Sequence, residues 1–182
     1  MANAPEAPEA PVADVKDWTW VTQRQCPDCG FDPATVGPAD LPELILSAVE
    51  RFAVAVEKEG AEERPSLQTW SPIEYGRHVA DVIEVMGQRL EQILEADGAP
   101  VRFENWDQDA AALDNEYWKA NGHATAVLIR ERAEGAAKDW AEPEGDQWAW
   151  VGRRGDGAEF TVESLGLYFA HDLLHHLYDV NG

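Results

Sequence analysis

An all-α fold, organised as a four-helix bundle, is what this 182-residue sequence predicts. Three observations carry that expectation. Long segments repeat apolar residues at the 3.6-residue helical period, each between a recognisable start and stop. The one stretch that alternates like a strand pair is short and falls just before the last helical segment. No internal repeat at a solenoid period points to stacked helices instead.

The chain opens MANAPEAPEAPVADVKD, a Pro/Ala/Glu run with almost nothing to bury, so residues 1–17 are expected to be a disordered tail. Residues 18–40 read as an N-terminal extension: a Trp18/Trp20 patch, then Cys26-Pro27-Asp28-Cys29-Gly30 and the turn-rich FDPATVGPAD. The bundle is expected over 41–182.

Its first helix is expected from about Pro42 to Lys58, with Leu44, Ile45, Val49, Phe52 and Val56 on one stripe and Gly60 as the stop. The second has a strong start in Ser71-Pro72-Ile73-Glu74: an N-cap Ser, Pro at the first helical position, and Glu closing a capping box. Its stripe of Tyr75, His78, Val82, Val85, Arg89 and Ile93 runs to Asp97-Gly98. After the Asn105-Trp106-Asp107-Gln108 loop, Asp109 can cap a third helix carrying Leu113, Tyr117, Ala120, Ala124, Val127 and Leu128, weakened by Gly122. Trp148 to Thr161 alternates around Gly155-Asp156-Gly157 and reads as a small β-hairpin. Thr161 or Glu163 then opens the last helix, which ends at Asn181-Gly182.

Composition narrows the function. Fourteen basic against 35 acidic residues leave a net charge of −21, which repels nucleic acid and anionic membranes. Arg153-Arg154 is the lone adjacent basic pair, so no basic patch offsets this. No apolar run approaches the ~18 residues of a spanning helix, and the N-terminus lacks a secretory pattern. Two cysteines cannot build a disulfide scaffold and suit a reducing cytoplasm. The expected partner is a small molecule, with a homodimer through an exposed helix face as the protein alternative.

Histidine is scarce, at five residues, yet His171, His175 and His176 fall in one short helix. His171 and His175 are four apart and share a face with Ser164, Leu167, Leu174 and Tyr178, which is expected to point inward. His176 is expected to face solvent or a loop. Buried imidazoles left unpaired cost roughly 1–3 kcal/mol per group. Metal coordination removes that cost, and His at i,i+4 is a recurrent ligand pair, with His78 on helix two as a third donor. The alternative is a pair of core histidines hydrogen-bonded to Asp81 and Glu74. Three neutral imidazoles would leave positions open on the ion, as at a catalytic site.

Other features carry less. Cys26-x-x-Cys29 is half of a four-ligand zinc site with no evident other half; a redox pair and a purely structural role are the alternatives. His123 sits off the apolar stripe. Trp106, Trp148 and Trp150 could roof a pocket or simply pack. Arg89 and Tyr178, with Trp106, are candidate pocket residues; Arg89 could equally span to a helix-end carboxylate.

Trp70-Ser71-Pro72 opening a helix with His78 in it, the Asn105-Trp106-Asp107 loop, the Asp156-Gly157 hairpin and the closing Phe169-Ala-His171-Asp172-Leu-Leu-His175-His176-Leu together resemble the DinB-like superfamily of four-helix metalloproteins. The resemblance spans about Leu41 to Val180. It implies a divalent ion, Zn²⁺ before Ni²⁺ or Fe²⁺, held by His78, His171 and His175, with Asp81, Glu74 and Asp172 as candidate outer partners of the ligands. Characterised relatives use mycothiol or similar low-molecular-weight thiols, as in mycothiol-dependent maleylpyruvate isomerase. Metal-activated thiol attack, by S-transfer or isomerisation, is therefore the implied activity. A metal-dependent hydrolase using bound water and a non-catalytic metal-binding stress or scaffold protein are the rivals. The sequence singles out no catalytic acid or base.

Overall fold

The computed structural model describes residues 16–182. The expected tail over 1–17 therefore lies outside the described residues, apart from Lys16 and Asp17.

Four long helices make the bundle: α1 (Leu41–Val56), α2 (Pro72–Glu95), α4 (Gly122–Asp139) and α5 (Val162–Asp179), with a short α3 (Gln108–Asp114) between α2 and α4. α4 and α5 each pack against both α1 and α2. The core is apolar and sealed, with Phe52, Ile129, Trp140, Leu165, Phe169 and Leu173 all fully buried. Each such side chain contributes on the order of 1.5–3 kcal/mol of burial.

The strongest start signal forms as expected. The Ser71 hydroxyl accepts from Glu74 N at 3.2 Å, and the Glu74 carboxylate accepts from Ser71 N at 2.8 Å. α5 starts likewise, with Thr161 as N-cap to Ser164. Two other elements differ from expectation. Helix three is broken: α3 is capped by Asp107 rather than Asp109, and a left-handed Glu116 (φ 46°) ends the run before α4 starts afresh under an Asn121 cap. Restarting at Gly122 rephases the buried face to Thr125, Ala126, Ile129, Ala133 and Ala136, leaving Val127 exposed. Gly122 is no weakness there. A Cβ on it would stand 2.2 Å from the Val56 carbonyl oxygen, so the close approach of α4 to α1 requires glycine.

The hairpin is the second difference. β2 (Val151–Arg154) and β3 (Glu159–Thr161) pair antiparallel as expected, but β1 (Val101–Phe103) adds a parallel edge strand to β2. Trp148 lies in a 3₁₀ turn before β2 rather than in a strand.

The extension is folded onto the bundle. Val21 and Cys26 are fully buried, and the 3₁₀ turn Thr19–Thr22 packs against α5. This changes the meaning of the α5 faces. Leu165, Phe169, Leu173 and Leu177 point into the core, whereas the His171/His175 face lies beside them and is covered by Trp18 and Phe31. No helix among the described residues is long and apolar enough to cross a membrane.

Candidate metal centre

α2 and α5 bring three donor atoms together. His78, early in α2, places Nε2 3.1 Å from Nε2 of His176 on α5. Asp172, one turn before His176, holds Oδ1 3.6 Å from His176 Nε2 and 3.9 Å from His78 Nε2. Donors sharing one ion at ~2.1 Å bonds stand roughly 3.0–3.5 Å apart, so this triangle is close to ligand spacing. It recurs as a cluster whose donor atoms all lie within 4.8 Å of one another.

The surroundings explain the chemistry of each group. His78 is 1% exposed, with the Trp106 ring stacked on it at 5.4 Å and the Trp70 ring tilted against it at 5.2 Å. Burial and then the neighbouring His176 hold its pKa well below the usual imidazole value, so the ring is neutral. Asp172 Oδ1 is buried and has no hydrogen-bond partner. Burial raises the pKa of this carboxyl. A buried carboxylate oxygen with no hydrogen bond beside two ring nitrogens is costly as it stands, and a cation among the three would satisfy all of them. His176 is oriented from behind: its Nδ1 donates to Asp179 Oδ2 at 2.9 Å, which directs Nε2 toward His78.

A cavity of about 610 Å³ opens on this cluster. Its walls include Trp70, Tyr75, Trp106, Arg154 and Tyr168 together with Asp172 and His176. The hairpin is tied to the loop on the far wall by Asp156 N donating to Asn105 Oδ1 at 3.1 Å. Another groove, of about 730 Å³ between α2 and α4, is lined with Glu84, Glu91, Glu95 and Glu131 and contains no histidine.

The trio expected to share one ion is divided. His78 pairs with His176 and Asp172, while His171 and His175 belong to a second cluster with Cys26 and Cys29. The reason is the rotation of α5. His176 turns toward α2 rather than solvent, and its side chain is 20% exposed. His171 and His175 turn toward the extension. The Trp18 ring lies 5.4 Å from the ring of His171 and 4.8 Å from that of His175.

The expected outer partners separate in the same way. Glu74 is held by the Ser71 cap and an ion pair with Arg64, and Asp81 accepts from Tyr117 (2.6 Å), Asn115 (2.9 Å) and Arg132 (2.9 Å). Neither carboxylate has a histidine partner among these contacts. Asp172 stands in the cluster itself, and Asp179, which sequence reasoning missed, is the carboxylate behind His176. Of the pocket candidates, Trp106 lines the cavity. Arg89 is buried over the Phe103 ring at 4.9 Å, and Tyr178 is exposed beyond His175. Trp148 and Trp150 are half-buried against the main core. His123 is exposed and meets Glu57 at 2.9 Å. Asp172-x-x-x-His176 has the same i,i+4 spacing as His171-x-x-x-His175, and that was the available signal for the missed donors.

No family model matches the chain, and no curated protein sequence does either. Among solved structures it is similar to YfiT from Bacillus subtilis, described as a probable metal-dependent hydrolase with an unusual four-helix bundle topology. The TM-score is 0.66 at 18% identity, over 78% of this chain and 82% of that one. The two share a fold.

Proposed function

We propose that the chain is a divalent-metal-dependent hydrolase of the DinB-like superfamily, with its ion held by His78, Asp172 and His176. The observation that carries this is the convergence of two imidazole nitrogens and an unpaired buried carboxylate oxygen within 3.1–3.9 Å on the wall of a cavity. Two histidines and one carboxylate are a ligand set for Zn²⁺ and also for Fe²⁺ or Ni²⁺, and three protein donors leave positions for water and substrate. A bound ion would supply Lewis acidity and lower the pKa of a water molecule, giving a nucleophile at neutral pH.

The chain's own residues prepare for that. Asp179 fixes the His176 tautomer, so the ring offers a lone pair toward His78. Trp70 and Trp106 keep His78 dry and neutral, ready to donate a lone pair. Arg154, paired with Asp156 at 2.8 Å, brings a guanidinium to the cavity wall, where its remaining N–H groups can meet a polar part of a small substrate. The solved neighbour's description as a probable hydrolase favours water over a low-molecular-weight thiol such as mycothiol as the nucleophile. A small-molecule substrate in the cytoplasm fits a net charge of −21 and two free thiols.

The test is reconstitution of the metal-stripped chain with Zn²⁺, Ni²⁺ or Fe²⁺, assayed on a panel of activated esters and amides with and without added thiol. Metal-restored hydrolysis without thiol, reduced roughly 100-fold or more in His176→Ala, is the expected result. Turnover that requires a thiol, or turnover indifferent to His176, overturns the reading.

A further inference from the structure

The Cys26/Cys29 pair lies beside the His171/His175 pair of α5. Cys26, Cys29, His171 and His175 present one donor atom each, all within 4.8 Å of one another. Cys26 Sγ lies 3.8 Å from His175 Nδ1, against roughly 3.6 Å for a sulfur and a nitrogen on one tetrahedral zinc with bonds of ~2.3 and ~2.1 Å. Both cysteines are free thiols.

The local backbone is built for this. Gly30 N donates to Cys26 O at 3.0 Å and Cys26 N to Phe31 O at 2.8 Å. Gly30 takes φ 78°, which closes the tight loop that turns both sulfurs to the same side. α5 supplies the imidazoles one turn apart. The cluster is partly covered: Cys26 is fully buried and His171 is 4% exposed, Cys29 and His175 are half-buried where both histidines border the cavity, and Trp18 and Phe31 lie against the rings. His171 Nε2 is buried without a hydrogen-bond partner.

We infer that Cys26, Cys29, His171 and His175 form a second, structural Zn²⁺ site that clamps the N-terminal extension onto α5. Two thiolates and two neutral imidazoles cancel the charge of the ion, which suits a buried site, and four protein donors leave no open position. Loading the site releases the two thiol protons to solvent. The clamp also sets the rotation of α5. Asp172 follows His171 and His176 follows His175, so fixing one i,i+4 pair fixes the other. Its ligands are distinct from those of the proposed hydrolase centre, so it stands or falls separately.

The test uses the full chain loaded with Co²⁺ and, in parallel, Zn²⁺ stoichiometry in wild type, His78→Ala and Cys26→Ser/Cys29→Ser. Thiolate-to-cobalt charge transfer and tetrahedral d–d bands in wild type, kept in His78→Ala, are the expected result. The double serine variant should lose one equivalent of zinc. The wild-type spectrum needs no variant to fold, so an unfolded double mutant does not blunt the test. Absence of sulfur-to-cobalt charge transfer in reduced wild type overturns the inference. So does a Cys26–Cys29 disulfide whose formation leaves bound zinc unchanged.

Discussion

Nε2 of His78 and Nε2 of His176 face each other at 3.1 Å across the α2–α5 interface, although 98 residues separate them in sequence. Two imidazoles can meet this way through one hydrogen bond, but Asp172 Oδ1, buried beside both with no hydrogen-bond partner, adds a third donor that a shared cation would satisfy.

Replacing that carboxylate separates binding from stability. Asp172→Asn should weaken divalent-ion affinity by at least tenfold while leaving the metal-free chain as stable as wild type or slightly more so, because a buried unpaired charge has gone. Isothermal titration with Zn²⁺ and denaturant unfolding of the stripped protein measure the two effects.

Asp179 acts through His176 and touches no other donor of the triangle. Asp179→Asn should keep the fold and lower ion affinity roughly 10–100-fold, the usual cost of losing a carboxylate behind a ligand histidine. The pH at which the ion is released should rise as well, since an amide no longer fixes the imidazole tautomer. A metal-binding isotherm at several pH values reads both.

Asp81 gives the opposite pattern. It gathers Tyr117, Asn115 and Arg132 from the α3–α4 segment onto α2. Asp81→Ala should cost on the order of 1–3 kcal/mol by leaving Tyr117 and Asn115 without their acceptor, while Arg132 keeps Ala80 O and Glu84, with metal content per folded chain unchanged. Urea denaturation and elemental analysis of the folded fraction check it.

Burial holds the His171 ring neutral down to about pH 4, against 6.5 for a free imidazole. Between those values the unfolded chain binds a proton that the folded chain refuses, so stability rises with pH across the window. The metal-stripped protein should therefore lose stability as pH falls from about 6.5 to about 4, by an amount on the order of 1–3 kcal/mol. Thermal unfolding across that range measures it. A midpoint that climbs on acidification would contradict it.

The helical architecture was legible because its signals are local. The Ser71-Pro72-Ile73-Glu74 start and the Thr161 cap depend on neighbours three residues away, and both form. The break at Glu116 was not legible, since a left-handed non-glycine residue carries no pattern of its own. Nor was β1, three residues paired with a strand about 50 positions later. The grouping of the α5 side chains was hidden for a related reason. Face assignment on α5 took the His171/His175 side as core, but what buries that side is Trp18, Cys26 and Phe31, brought from 140 or more residues away. Once the extension covers one histidine pair, the interleaved Asp172/His176 pair is the one left to meet His78.

Anomalous scattering from crystals of the full chain grown with a single divalent metal tests the central claim most directly. A peak bonded to His78 Nε2, His176 Nε2 and Asp172 Oδ1 at about 2.0–2.2 Å is the predicted result. A peak joining His78 to His171 and His175, or none between α2 and α5 in metal-saturated crystals, would contradict it.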